Sequence, residues 1–442
     1  MPRPLKSETW RQIFRYFVEP DSHQLEDNDE SLPTSWPHGS RAQIVSSVCA
    51  IWRKVAMRDR FIWSSIYISS RQPLAMNIRR AGHYIQRSGG KISNICILVE
   101  KEFSKDQLKL FSEAFYDLTQ LEIIDCMLSP WPAAKEGMTK LLTYMPPAST
   151  VILRGMVSSS SKMEVRYEIP GRIVAKAERL VAHRCTFSWK ASVGHTFTVR
   201  ELEILSLFPY PTARPQESPF AVNEWGTGLL MSLERCTIDE TYTLTTKPKS
   251  RLELPSLSSL TSLEIPLGLL LQVFYKSVRL PALTSITIRS VVNATLDDWK
   301  HFISIEEGGS RIKEITIRSM DRADAISLVP YIDTLSSLIT LGLEGESVSG
   351  VVKRLYAASD AYHDMPNVIP PPNPSLSVLK VRSYDGEGRT LAKFVHLRSW
   401  LADSEPHRGP AENPIIRPLR VQLLDCEGLT QKAKDIVSPY RF

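Results

Sequence analysis

Apolar residues recur at helical spacing near the amino terminus. Within residues 7–18, Trp10, Ile13 and Phe14 fall at i, i+3 and i+4, and this spacing predicts a helix with one apolar face. Residues 44–56 carry a broader apolar stripe of the same period and predict a second helix. Helices this short are too small to be stable alone, so we expect them to pack on each other and on a partner or a neighbouring domain.

A second pattern, h-x-x-h-x-h, begins directly after these helices and predicts short strands. Trp63, Ile66 and Ile68 provide its first copy, and alternate residues of such a strand face a core. The central positions of successive copies lie mostly about 22–33 residues apart, and about 40 apart near the end of the chain. The clearest further copies span residues 92–97, 118–126, 177–185, 199–207, 260–265, 283–288, 312–317, 338–343, 376–381 and 421–426.

This period is typical of leucine-rich repeats, in which each repeat contributes a short strand and a return segment. Cys126, Cys185 and Cys426 fall where such repeats place Asn or Cys. Together with Cys236 they are predicted to be small buried residues. No single repeat can bury its own apolar face, so we expect the array to stack into one curved solenoid.

The predicted fold class is therefore α/β. We expect a small helical domain at residues 1–65, with a flexible acidic insert at about 19–41, followed by an irregular leucine-rich-repeat solenoid at residues 66–442. The solenoid is expected to be a horseshoe of short parallel strands joined by helical or loop returns.

Composition narrows the functional classes. The chain has 442 residues, a formal net charge of +6 and a pI of about 8.9, which permits an acidic partner without demanding nucleic acid. Its six cysteines are widely spaced and form no C-x-x-C pair, which argues against a zinc site and a disulfide framework. We therefore expect a reducing compartment, cytoplasmic and/or nuclear. No apolar signal core opens the chain, and the apolar run at 265–274 is too short to span a membrane, so no membrane partner is predicted.

Candidate catalytic chemistry is sparse. His183, Cys185 and His195 suggest at most part of a metal site, because no fourth ligand is evident. The sequence contains no G-x-S-x-G, no phosphate-binding G-x-x-x-x-G-K-[ST] and no H-E-x-x-H motif. We therefore expect no enzymatic activity, no cofactor and no metal.

Two stretches near the amino terminus resemble a known family. The stretch "LKSETWRQIFRYF" followed by "VSSVCAIWRKVAMRDRFIWSSIYI" resembles an F-box, in the form common in large families of mushroom-type fungi. Lys6 stands where that family usually has Pro, and Thr9 where an aliphatic residue is usual. The acidic insert is also unusually long. The matching positions are Leu5, Glu8, Trp10, Ile13, Phe14, Val48, Cys49, Trp52, Arg53, Ala56 and Trp63.

The resemblance implies a role in protein–protein recognition. An F-box docks a Skp-family adaptor and so joins a cullin-RING ubiquitin ligase, which leaves the repeats to bind a target protein. For Trp52 and Trp63, filling the junction with the next domain is the alternative role. The adaptor-side candidates, from the resemblance and from exposed-apolar reasoning, are Leu5, Trp10, Ile13, Phe14, Val48, Trp52 and Trp63.

Basic residues recur on the predicted strands of the carboxyl-terminal half. Arg289, Arg318, Lys380 and Arg382 occupy positions that face away from the core, and neighbouring strands lie about 5 Å apart. Because Arg suits bidentate capture of carboxylate or phosphate, we expect these four residues to bind an acidic or phosphorylated segment of a target. The alternative is a solvated charged face on which Glu344 acts as an internal neutraliser.

The expected function is that of a substrate-recognition subunit of a cullin-RING (SCF-type) ubiquitin ligase. One alternative is a leucine-rich-repeat interaction scaffold without ligase coupling, which is consistent with Lys6, Thr9 and the long insert. A second alternative is an RNA-binding repeat protein, motivated by the basic pI. The predicted strands lack interleaved aromatic and basic residues, and this counts against RNA.

Overall fold

The structure is a computed structural model with two compact units. The described residues up to Leu205 belong to the first unit, and those from Ser232 on belong to the second. Leu5, residues 19–40 of the acidic insert and His195 lie outside the described residues. The described residues are 6–18, 41–70, 73–100, 103–129, 132–156, 165–190, 198–205, 232–238, 256–271, 279–291, 294–305, 311–318, 322–345, 347–364, 373–384, 388–404, 416–426 and 429–440.

Short helical elements begin the first unit. They are α1 (Ser7–Val18), α2 (Arg41–Val48), α3 (Ala50–Arg58) and a 3₁₀ helix (Arg60–Trp63). The single helix predicted over residues 44–56 is instead divided at Cys49. The Cys49 backbone is extended and its sulfur accepts a hydrogen bond from the Trp52 amide at 3.5 Å, so it caps a new helix. Asp59 caps the 3₁₀ helix in the same way, accepting from the Phe61 amide at 3.1 Å.

A parallel sheet in chain order follows within the first unit. Its strands are β1 (Ser65–Ser69), β2 (Lys91–Val99), β3 (Gln120–Leu128), β4 (Thr150–Gly155), β6 (Arg179–His183) and β8 (Glu201–Leu205). A separate two-stranded parallel sheet consists of β5 (Arg166–Pro170) and β7 (Thr186–Lys190). The helices between strands are α4 (Leu74–Ser88), α5 (Lys105–Ala114), α6 (Pro132–Leu142) and α7 (Gly171–Val174).

The second unit repeats this plan. Its parallel strands, again in chain order, are β9 (Arg235–Ile238), β10 (Ser262–Ile265), β11 (Ser285–Ile288), β12 (Glu314–Ile317), β13 (Thr340–Glu344), β14 (Val378–Arg382) and β15 (Arg420–Leu424). Its main helices are α8 (Leu296–Ile305), α9 (Arg322–Ser327), α10 (Val329–Asp333), α11 (Ser347–Asp364), α12 (Arg389–Ser404) and α13 (Gln431–Val437).

Buried apolar rows cross each sheet at paired positions, as the repeated pattern predicted. These rows bury side chains that no single repeat could bury alone, and therefore hold neighbouring repeats together. In the first unit one row is Ile66, Ile95, Ile124, Val151, Leu180 and Leu202. In the second unit one row is Leu263, Ile286, Ile315, Leu341, Leu379 and Val421.

The third copy of the pattern was assigned to the wrong residues. Ile124, rather than the predicted Leu121, pairs with Ile95 and is fully buried, whereas Leu121 pairs with Ile92. Cys126 therefore belongs to the strand core, where it pairs with Leu153, and not to the Asn or Cys position after the strand. The error arose because β3, like β2, begins three residues before the position at which the shorter strands β1 and β4 begin.

Cys185 and Cys426 occupy the position after the strand that the repeat pattern predicted. Cys185 is buried as predicted, whereas Cys426 is only half-buried. Cys185 donates through its thiol to the Leu153 carbonyl oxygen, at an S–O distance of 3.4 Å. Cys426 donates in the same way to the Val381 carbonyl oxygen, also at 3.4 Å. In both cases the carbonyl belongs to the neighbouring strand, so the two thiols satisfy equivalent backbone acceptors in the two units.

A left-handed residue follows directly after several strands. The φ angles are +54° at Arg184, +70° at Gly345, +53° at Ser383 and +50° at Asp425. The Arg184, Gly345 and Ser383 amides each donate to a carbonyl oxygen of the next strand, at 3.0 Å. The same turn thus recurs after strands in both units, which is the structural mark of a repeat.

The predicted α/β class, with parallel strands in chain order, is confirmed. The predicted boundary between residues 65 and 66 lies inside the first compact unit, which contains both the opening helices and the first strands. Within the described ranges, no helix is both long and apolar enough to cross a membrane.

Candidate functional site

An aromatic cluster joins α1 to α3. The Trp52 ring centroid lies 4.9 Å from those of both Trp10 and Phe14, which are 5.7 Å from each other. Phe14 is only 1% exposed, whereas Trp10 and Trp52 are partly buried. The cluster is the internal core of these helices. The adaptor contact expected of Phe14 is therefore corrected to core packing, because almost none of its side chain is accessible.

Trp63 is buried between α3 and α4. Its indole N–H donates to the Ala56 carbonyl oxygen at 2.8 Å, and the Tyr84 ring meets it edge-on at a centroid distance of 5.1 Å. The Arg87 guanidinium lies 4.2 Å from the Trp63 ring centroid, within cation–π range. Because Trp63 has no exposed surface, its expected adaptor role is replaced by the alternative, junction packing.

Other apolar side chains of α1, α2 and α3 are exposed. Val48 is 55% exposed and Ile13 is 44% exposed, so these two adaptor candidates lie at the surface. Ile44 and Ile51 were assigned to the apolar stripe of one helix, but the break at Cys49 leaves both of them exposed. The apolar stripe was the signal for these two residues, although its division into two helices was not predicted. We call Ile13, Ile44, Val48 and Ile51 the helical apolar surface.

An ion pair, a hydrogen bond and a cation–π contact hold α1 in place beside the following helices. The Arg15 guanidinium contacts the buried Asp59 carboxylate at 2.9 Å and ties α1 to the 3₁₀ helix. Arg41 donates to the Phe17 carbonyl oxygen at 2.9 Å and lies 5.4 Å from the Phe17 ring centroid. Arg41 therefore joins the start of α2 to the end of α1. The residues of the helical apolar surface therefore lie on helices that are fixed to one another before any partner binds.

The basic residues predicted to bind a target lie on the sheet of the second unit, where carboxylates neutralise them. Arg289 forms a short ion pair with Glu264. Arg318 contacts the same Glu264 at 3.3 Å and Glu344 at 3.1 Å. The two arginines lie between the two carboxylates, which leaves this part of the sheet face balanced in charge. Glu344 thus takes the neutralising position that the alternative interpretation gave it.

Lys380 and Arg382 are also paired. The Lys380 ammonium contacts the Glu314 carboxylate at 2.6 Å, although Glu314 lies two strands away on β12. The more exposed Arg382 lies 3.5 Å from Asp425. All four basic residues expected to capture a target therefore already have a carboxylate partner within the chain.

Gly342 lies on the strand between those of Lys380 and Glu314. It lies on β13, paired with Thr316 on one side and Lys380 on the other. A Cβ atom at Gly342 would lie 2.6 Å from the Thr316 hydroxyl oxygen, which is closer than real contacts allow. Glycine is required here for this close approach and not for an unusual backbone angle.

The buried thiols are poor nucleophiles. Burial raises the pKa of the Cys236 thiol to about 12, and burial, followed by the nearby Asp125 charge, raises the pKa of Cys126 well above its usual range. Cys49, by contrast, is exposed. Within the described ranges, no group of three or more His, Cys, Asp or Glu side chains is placed to hold a metal ion.

The rate of alkylation at pH 8 is expected to distinguish the exposed thiol from the buried ones. Cys49 should react with iodoacetamide about a hundredfold faster than Cys126 or Cys236, because only thiolate attacks and the buried thiols are both protonated and shielded. Peptide mass spectrometry after a short pulse measures each site separately. Comparable labelling of all three sites is expected only in denaturant; the same result in the folded chain would contradict this account.

No protein-family model matches the chain, and a search of curated proteins gives no match. The functional assignment therefore depends on the helical apolar surface, on the repeated strands and on the resemblance of the amino-terminal residues.

Proposed function

We propose that this chain is a non-catalytic substrate-recognition subunit of a cullin-RING ubiquitin ligase, acting in the cytoplasm and/or nucleus. In this role the F-box-like α1–α3 region docks a Skp-family adaptor, and the leucine-rich-repeat-like strands and their returns bind the target. The observation that carries the proposal is the helical apolar surface. Four aliphatic side chains on three short, mutually fixed helices are exposed, and burying them against a partner would be favourable.

Co-elution with a purified Skp-family adaptor in size-exclusion chromatography tests this proposal. We expect the full chain to form a complex that Val48→Asp with Ile51→Asp abolishes. Truncating or polarising a central interface residue costs about 2 kcal/mol of binding free energy. Two such changes should therefore weaken binding roughly a thousandfold. Both side chains are more than half exposed, so the variant should remain folded.

The control is Tyr116→Asp with Tyr144→Asp, two exposed aromatic residues outside α1–α3. It should co-elute like the original chain. Phe14→Ala and Trp52→Ala are unsuitable because both would disrupt the aromatic cluster. If the folded chain forms no complex, or if the Val48 and Ile51 variant binds as well as the control, the ligase role is wrong.

An interaction scaffold without ligase coupling is the second candidate. Lys6 and Thr9 favour it, because both depart from the residues usual in an F-box. It predicts target binding without adaptor binding in the same chromatography. RNA binding has less support, because the basic residues of the sheet face are paired with carboxylates.

A further inference from the structure

A groove lies between α12 and α13 in the second unit, on elements that the proposed function has not used. Its volume is about 590 Å³. The side chains of Ala392, Ala433 and Ile436 give it an apolar component. The two helices come together at Gly388, where a Cβ atom would lie 2.2 Å from a Leu429 methyl carbon, so the groove has a tightly packed end.

Basic side chains dominate the polar lining of this groove. Arg389, Lys393 and His396 lie at i, i+4 and i+7 on α12, which places them along one helical face, and Lys432 enters from α13. None of the described residues that line the groove carries a carboxylate. Within the described part of the chain, no ion pair joins any of these four residues to an acid, whereas each basic residue discussed on the sheet face has an acidic partner.

We propose that this groove binds a phosphoserine or phosphothreonine within a peptide segment of the target. Arg389, Lys393 and Lys432 would surround the phosphate, which carries close to two negative charges at neutral pH and three acceptor oxygens. The neighbouring apolar residue of the peptide would contact Ala392, Ala433 and Ile436. The inference names the target class of the proposed receptor and to that extent rests on the proposed function.

Two features favour a phosphopeptide over a nucleic acid. No lining residue in the described part of the chain is an aromatic side chain on which a base could stack. The small side chains Ala392 and Ala433 also leave room for an aliphatic residue beside the basic ones. A phosphate flanked by an apolar side chain matches this pairing of charge and apolar surface, and a continuous phosphodiester chain does not.

Fluorescence anisotropy of the full chain alone tests the inference. The probe is a pool of short fluorescein-labelled peptides with a central phosphoserine and randomised flanks, compared with the same pool unphosphorylated. We expect binding of the phosphorylated pool only. Lys393→Glu with Lys432→Glu should weaken it by at least about tenfold, because two attractive contacts become repulsive. Ile436→Asp should also weaken it, by placing a carboxylate beside the bound peptide.

Two controls keep the result specific. Lys300→Glu with Lys353→Glu changes the net charge equally at exposed positions elsewhere in the unit and should bind like the original chain. Arg79→Glu alters a second basic hollow, lined by Arg79, His83 and Arg87 in the first unit, and should have no effect. Circular dichroism establishes that each variant is folded.

Several outcomes would overturn the inference. They are equal binding of the two peptide pools, no binding of the phosphorylated pool, insensitivity to the Lys393 and Lys432 reversal, and tighter binding of single-stranded oligouridylate to the same groove. Since the adaptor is absent from this assay, failure here is distinguishable from failure of the ligase role. If the chain co-elutes with the adaptor but binds no phosphopeptide, the proposed ligase role stands and the proposed phosphopeptide groove is wrong.

Discussion

Trp63→Ala is expected to lower the free energy of unfolding by about 4 kcal/mol, as is usual when a large aromatic residue is removed from a core. The change leaves a cavity between α3 and α4. It also removes the hydrogen bond to the Ala56 carbonyl oxygen and the contacts with Tyr84 and Arg87. Denaturant unfolding followed by circular dichroism measures the loss.

The conservative variant Trp63→Phe separates packing from adaptor contact. It retains most of the buried ring, so it should be less destabilised than Trp63→Ala and should co-elute with the adaptor like the original chain. Tyr116→Ala, at a side chain that is almost fully exposed, is the matched control and should change stability by less than about 0.5 kcal/mol. If folded Trp63→Phe fails to bind the adaptor while its stability is unchanged, the assignment of Trp63 to the core is wrong.

Asp125→Ala is expected to destabilise the first unit by about 3 kcal/mol, because it leaves the Arg154 charge buried without its partner. The two side chains form a bidentate pair with N–O distances of 2.8 and 3.1 Å, and they are only 9% and 12% exposed. The Tyr167 hydroxyl donates to the Arg154 carbonyl oxygen at 2.7 Å, so the same strand is also held from the two-stranded sheet. Thermal and denaturant unfolding both report the change.

A double variant shows whether the loss of stability comes from the unpaired buried charge of Arg154. Asp125→Leu with Arg154→Leu removes both charges and should recover most of the stability lost in Asp125→Ala, since a buried pair is often replaceable by apolar residues. The matched exposed pair is Lys140 with Glu136, for which Glu136→Ala should cost less than about 0.5 kcal/mol. Equal losses for Asp125→Ala and the double variant would show that the charges are unimportant and that packing alone matters.

The buried rows were predictable because a strand imposes a period of two on its side chains, and the apolar residues obey it from Ile66 onward. The break at Cys49 was not predictable from that period. It depends on a thiol accepting a backbone hydrogen bond, and Cys is not among the preferred caps. The register of β3 was also missed by three residues, because Leu121 and Ile123 fit the pattern as well as Ile124 and Cys126 do, and only pairing with Ile95 decides between them.

The candidate sites were likewise predictable only in part. Sequence spacing placed Arg289 and Arg318 on the outward face of the strands, but their partners depend on side-chain reach across strands. Glu314 in particular contacts a lysine two strands away. The groove between α12 and α13 was missed because its basic residues come from two separate helices, and no motif joins them in the sequence.

The left-handed turns after the strands help to explain how a chain of this kind can gain or lose repeats during evolution. Arg184 and Ser383 adopt a backbone conformation that glycine adopts more readily, and the amide of each donates to the strand that follows. Each turn is thus shaped by the neighbouring strand as well as by its own residue. A duplicated repeat would present the same strand edge for pairing as the repeat from which it was copied. An array of this kind can therefore gain or lose whole repeats by recombination while the remaining repeats keep their pairing partners.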